Sequence, residues 1–267
     1  MQPLLHPATF RFDHKVRTRW WDWSVPYPDR DVVLQASFGL PYRHHAWRPF
    51  DAPVKYMRYP SMHPMHQLDV RKLGSSWQIR DAESAIETAT ALVECRMHSK
   101  EFDALLGTLH LLNDGVPFQE ASAFLGDLAS ANHEFPPEYQ QDFADVLAVV
   151  SNPLFAEVNA PPVPRTSRAY DIMRLEASAA LAVELGYIDN ATYQPFAQRA
   201  VEQLQRYYSS WAEVAAGFWW GRLIWVADNI VEADARKYKS HLQHFNADLN
   251  RALTDPDSPW RRFPLHA

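Results

Sequence analysis

The chain has a single cysteine, Cys95, among 267 residues. One thiol excludes an internal disulfide and leaves stability to the apolar core. Glycine is also scarce, with eight in all, and loops that fold round phosphates need it. There is no G-x-x-x-x-G-K, no dinucleotide-binding glycine fingerprint, no G-x-S-x-G elbow and no H-E-x-x-H pair. No apolar run is long enough to span a bilayer. The opening MQPLLHPATFRFDHK has neither the basic start nor the apolar centre of a signal peptide. These absences lead to an expectation of a cytoplasmic protein with no cofactor, no metal and no membrane partner.

Net charge is −6, and it is unevenly spread. Residues 1–70 carry nine Lys and Arg against six Asp and Glu, and the remainder carries 17 against 26, a balance of −9. Residues 1–70 are also rich in proline and in aromatics such as Trp20, Trp21, Trp23 and Tyr27. Proline breaks helices, and dense aromatics argue against disorder. An ordered, extended arm over residues 1–70 is expected to wrap a helical domain at 71–267, with a short strand at Val32–Ala36. Arg17-Thr18-Arg19-Trp20-Trp21 has the look of a stacking patch for nucleic acid. The negative chain offers no basic field for phosphates, so these aromatics are read as docking groups. His44, His45, His63 and His66 lie near Met57, Met62 and Met65, but Pro64 keeps His63 and His66 from one helix face. They read as loop histidines rather than a metal site.

Tyr207–Asp228, YYSSWAEVAAGFWWGRLIWVAD, organises the rest. Ser210 and Glu213 form an S-x-x-E capping box, so a helix starts at Trp211 and Ser210 is a cap rather than a nucleophile. Apolar groups occupy nearly every side, as in a helix enclosed by others. Gly221 costs about 1 kcal/mol in a helix interior, which a close helix crossing would offset. Arg222 shares a stripe with Trp211, Ala215, Phe218 and Trp225. A guanidinium buried there needs a carboxylate, or its head must reach water.

Helical periodicity predicts further helices at Ala82–Met97 with Asp81 as N-cap, at Lys100–Leu112, through Phe118, Ala121, Phe124, Leu125 and Leu128, and through Tyr139–Val150. A proline-bearing connector, residues 151–167, follows. Helices are then expected at Arg168–Leu185 with Gly186 as C-cap, from Asp189 or Asn190 to Tyr207, and at Glu232–Leu253. Cys95 reads as a small buried residue of the first of these helices. On Arg168–Leu185, Asp171, Arg174 and Ser178 form a narrow polar stripe. Asp171 is either the partner of Arg222 or half of a surface pair with Arg174 worth under about 1 kcal/mol. The fold class expected is mainly α, a multi-helix bundle.

Several pieces occur together in one family. GSSWQI at Gly74–Ile79, with Trp77, is one. Tyr170-Asp171-Ile172-Met173-Arg174, Gly186-Tyr187-Ile188 and Tyr208-Ser209-Ser210-Trp211 are others. Gly221-Arg222, Trp225 and the closing Ser258-Pro259-Trp260 complete the set. In these the chain resembles domain-of-unknown-function family 1266, which more often has Trp where this chain has Tyr170. The resemblance implies a helical fold and a bacterial, cytoplasmic setting, and implies no reaction.

Two functions follow as expectations. The first is a non-enzymatic protein-binding module, immunity- or antitoxin-like, whose acidic body takes a basic partner with electrostatic steering. The second is a helical enzyme or anion-binding protein, with Asp171 as base and Arg174 and Arg222 holding the anion beside Ser178.

Overall fold

The computed structural model describes residues 29–42, 71–131, 139–151, 158–230 and 235–267, and among these every regular element is helical. In chain order they are α1 (Arg30–Ser37), a 3-10 turn (Leu40–Tyr42), α2 (Ala82–Val93), α3 (Ser99–Asn113), α4 (Phe118–Ala131) and α5 (Tyr139–Ser151). There follow α6 (Arg168–Glu184), α7 (Asn190–Tyr207), α8 (Trp211–Ile230), α9 (Ala235–Thr254) and α10 (Pro259–Arg262). The mainly α expectation holds. No described helix is long and apolar enough to cross a membrane.

Val32–Ala36 is not a strand. Asp29 caps α1 by accepting from the Val32 N–H at 2.9 Å, and the buried residues include Val33, Leu34, Ser37 and Phe38. Those positions recur at i and i+4, a helical face; alternation would have buried Val32, Leu34 and Ala36 alone. The remaining residues of 1–70 lie outside the described ones, and with them Arg17–Trp21 and His44, His45, His63 and His66.

Helix ends follow local chemistry. Asp81 caps α2 in a reciprocal box with Ser84, and Asp189 caps α7 through the Thr192 N–H at 2.8 Å. Gly115 and Gly186 take φ +88° and +79° just past α3 and α6. Tyr187 N–H donates to Ala182 and Gly186 N–H to Val183, the paired closure of a Schellman end. Cys95 departs from expectation. It is buried, but α2 stops at Val93 and Cys95 occupies the left-handed position at φ 56°. Arg96 N–H reaches Ala91 O at 2.9 Å and Cys95 N–H reaches Leu92 O at 3.0 Å, so a cysteine does here what glycine does elsewhere. The closing Ser258-Pro259-Trp260 stretch enters one turn of helix, Pro259–Arg262.

The described residues divide into two units. The first comprises His98–Tyr170 and Ala212–Asn250; the second comprises those before His98, Asp171–Trp211 and Arg251–Ala267. In the first, α4 packs against α3 and α5. The bulk of α8 is its core: Val214, Phe218, Trp219, Trp220, Leu223, Ile224 and Val226 are all buried. In the described part of the connector, residues 158–167, side chains donate to backbone carbonyls. Trp220 Nε1 reaches Pro161 O at 3.0 Å, His110 Nε2 lies 3.0 Å from Pro164 O, and Asn246 donates to Val158 O. In the second unit α7 packs against α1 and α2, and α10 against α1.

Candidate functional site

Among the described residues of the second unit, the polar stripe of α6 is the most deeply buried charged feature. Asp171 is 0% and Arg174 8% exposed, and Arg174 Nη1 lies 3.4 Å from Asp171 Oδ1. The carboxylate therefore answers the arginine on its own helix, as one expectation had it, yet the pair is buried rather than on the surface. At 3.4 Å it is an ion contact, longer than the 2.7–2.9 Å of a tight charge-assisted hydrogen bond. The guanidinium also lies over Trp77, 4.6 Å from the ring centroid. A desolvated cation–π contact of this kind contributes up to about 2 kcal/mol. Ser178 turns its hydroxyl back to Arg174 O at 3.0 Å, the i−4 bond of a helical serine.

Glu176, which the sequence reading missed, is buried beside this stripe. Its Oε1 accepts from the Tyr193 hydroxyl at 3.1 Å. Its stem crosses Gly39 so closely that a Cβ there would lie 3.1 Å from Glu176 Cδ and nearer still to Cγ. The clue is a glycine and a tyrosine far from Glu176 in sequence, which periodicity cannot connect.

Arg222 belongs to the first unit. It is half-buried rather than enclosed, and its guanidinium lies 4.3 Å from the Trp225 centroid and 5.0 Å from that of Phe245. Gly221, one residue earlier, meets the close crossing expected of it: a Cβ there would lie 2.8 Å from Tyr170 Cγ and nearer to Tyr170 Cβ. Tyr170 in turn tilts against Phe102 at 5.7 Å and Phe218 at 6.1 Å.

The same unit holds a carboxylate clasp that spacing did not reveal. Asp103 of α3 accepts from the Ser167 N–H at 2.6 Å, the Ser167 hydroxyl at 2.9 Å and the Thr166 hydroxyl at 2.7 Å. It thereby serves the N-terminus of α6, where orphan N–H groups favour an anion. Burial pushes its pKa up, against the lowering pull of these donors and of Arg168.

The C-terminal motif closes on the second unit. Trp211 and Trp260 stack at 4.5 Å with an interplanar angle of 6°. Trp211 Nε1 donates to Phe263 O at 2.9 Å and Trp260 Nε1 to Ser37 O at 2.8 Å. Arg30 and Gln205 donate to Leu265 O. Most of the residues singled out from the sequence thus act on one another: Trp77 on Arg174, Tyr170 on Gly221, Arg222 on Trp225, Trp211 on Trp260. This is a packing framework. Among the described residues no group of three His, Cys, Asp or Glu side chains is placed to hold a metal ion.

One stretch of the chain is acidic throughout. From Glu101 to Pro164 the chain has ten Asp and Glu and no Lys or Arg, a run visible to a simple count yet absent from the periodicity reading. Phe118 and Phe124, which mark the helical period of α4, are 45% and 43% exposed.

A family model described as protein of unknown function (DUF1266) matches residues 72–265; the chain belongs to that family. No curated protein and no solved structure matches the chain.

Proposed function

We propose that the protein is a non-enzymatic, cytoplasmic protein-binding module whose acidic helical unit takes a basic protein partner. The action envisaged is that of an immunity- or antitoxin-like protein, which neutralises or regulates what it binds. One observation carries this reading. The stretch from Glu101 to Pro164 is wholly without Lys and Arg, and it exposes two phenylalanines on α4. A stretch charged with one sign raises the encounter rate with an oppositely charged partner, and an exposed aromatic supplies short-range binding energy. The buried motif residues support the reading from the other side. Arg174 is already engaged by Asp171 and Trp77, and Ser178 by its own helix, so these groups serve the fold. The lone thiol suits a reducing compartment.

The experiment is affinity capture from the source cells, confirmed by reciprocal capture, with the association rate then followed against ionic strength. The reading expects a partner of basic pI and a rate that falls about tenfold or more as salt is raised well above physiological levels. An acidic partner, or a salt-insensitive rate, contradicts it.

A further inference from the structure

Three large apolar side chains stand in water among the described residues: Ile86, Phe118 and Phe124. Phe118 stacks on Phe143 of α5, with centroids 5.9 Å apart. Phe124 is differently placed. On α4 the buried positions Ala121 and Leu125 mark the core side, and Phe124 falls beside them, toward solvent. Glu120 lies four residues before it and Asp127 three after, both exposed, and half-buried Leu128 follows four residues on. At helical spacing these four form one stripe, with about 5–6 Å between neighbouring Cβ atoms.

We propose that this stripe of α4 docks an amphipathic segment of a protein partner, one that presents an apolar side chain flanked by Lys or Arg. The proposal deepens the protein-binding reading and rests on it. Charge selects the occupant. A second copy of the chain would bring Glu120 and Asp127 against their own kind. Nucleic acid and anionic lipid would be repelled by the same carboxylates. A lysine or arginine, in contrast, lays its aliphatic stem over the Phe124 ring and carries its cation to either carboxylate. Helix-on-helix recognition through anchors at i, i+3 and i+4 is a recurring mode.

The probe is a synthetic amphipathic helix of leucine and lysine, about four turns long, with its leucine–glutamate counterpart as control and anisotropy as readout. The Leu–Lys peptide is expected to bind and the Leu–Glu peptide not to. Phe124→Ser and Glu120→Lys should each weaken binding at least tenfold with the thermal melt unchanged, and Phe118→Ser should not. Equal affinity for wild type and Phe124→Ser overturns the assignment, as does failure of the Leu–Lys peptide to bind. Self-association that Phe124→Ser abolishes gives the face to a second copy instead and also overturns it. A captured basic partner that binds Phe124→Ser as well as wild type removes the stripe but leaves the module reading; the lack of any salt-sensitive partner removes the module.

Discussion

Gly221→Ala should destabilise the protein, although by helix propensity alone it should help. Alanine is favoured over glycine in a helix interior by about 1 kcal/mol. Against this stands Tyr170, whose Cγ would lie 2.8 Å from the new methyl and whose Cβ would lie nearer still. Non-bonded carbons prefer about 3.5–4.0 Å, so the backbone at Tyr170 and that at Gly221 must move apart by about 1 Å. A rotamer change of Tyr170 cannot relieve this, because Cβ is fixed to the backbone. The shift also loosens the contacts of Tyr170 with Phe102 and Phe218. Overpacking of a filled core costs about 1–3 kcal/mol, and the crossing here is tight enough to place the cost at the upper end. The net loss expected is about 1–2 kcal/mol, or a melting temperature lower by several degrees. Gly107→Ala is the control. Gly107 is also helical, in α3, and a Cβ there meets nothing within 4 Å, so that variant should gain about 0.5–1 kcal/mol. Chemical denaturation of both decides the matter. If Gly221→Ala is as stable as Gly107→Ala, the crossing is not where it is described and the reasoning fails.

Arg174→Leu leaves Asp171 buried without its guanidinium and should cost about 3–5 kcal/mol, while Arg222→Leu, at a half-buried site over two rings, should cost about 1–2 kcal/mol; equal losses in urea denaturation would contradict the contrast. Asp103→Ala removes the acceptor at the start of α6 and should cost about 1–2 kcal/mol, like the loss of an N-cap, measured the same way. Asp103 also has a pH signature. Its folded pKa is raised by burial, so between the ordinary aspartate value and the raised one the native state binds more protons than the unfolded chain, and its contribution to stability falls as pH rises through that window. Melts of wild type and Asp103→Asn across mildly acidic pH should show this slope only in the wild type. The caps behave oppositely. The Ser84 hydrogen bonds lower the pKa of Asp81 and the Thr192 hydrogen bonds that of Asp189, so their contribution is present above the ordinary aspartate value and lost as pH falls through the lowered one. Asp81→Asn and Asp189→Asn should flatten that acid limb, and an unaltered limb counts against the caps.

What the sequence revealed was mostly what is local. The start of α8 at Trp211, its burial on nearly all sides, the caps Asp81 and Asp189 and the stop at Gly186 each follow from residues within about one turn. The close crossing at Gly221 was legible because a costly glycine inside an apolar helix asks for a reason. Cys95 was misplaced because its apolar character fits the α2 period, while its left-handed backbone depends on the Schellman bonds that follow. Phe118 and Phe124 fit the α4 period too, but the face that α3 and α5 cover is narrower than the apolar stripe. Asp103 and Glu176 stayed hidden for another reason. Their partners Thr166, Ser167, Tyr193 and Gly39 are fixed by tertiary packing, which no local pattern records. Asp171 carried two readings since spacing gives a distance along a helix and says nothing of depth.

Central to this account is that the residues singled out from the sequence hold one another. A double-mutant cycle on Trp77 and Arg174, using Trp77→Leu and Arg174→Met so that the ring and the cation are each removed by an apolar replacement, measures it directly by denaturant unfolding. Contact at 4.6 Å predicts a coupling energy of about 0.5–2 kcal/mol. Additive losses, to within about 0.3 kcal/mol, would show that the ring and the cation do not act on each other, and the framework would lose its best-defined joint.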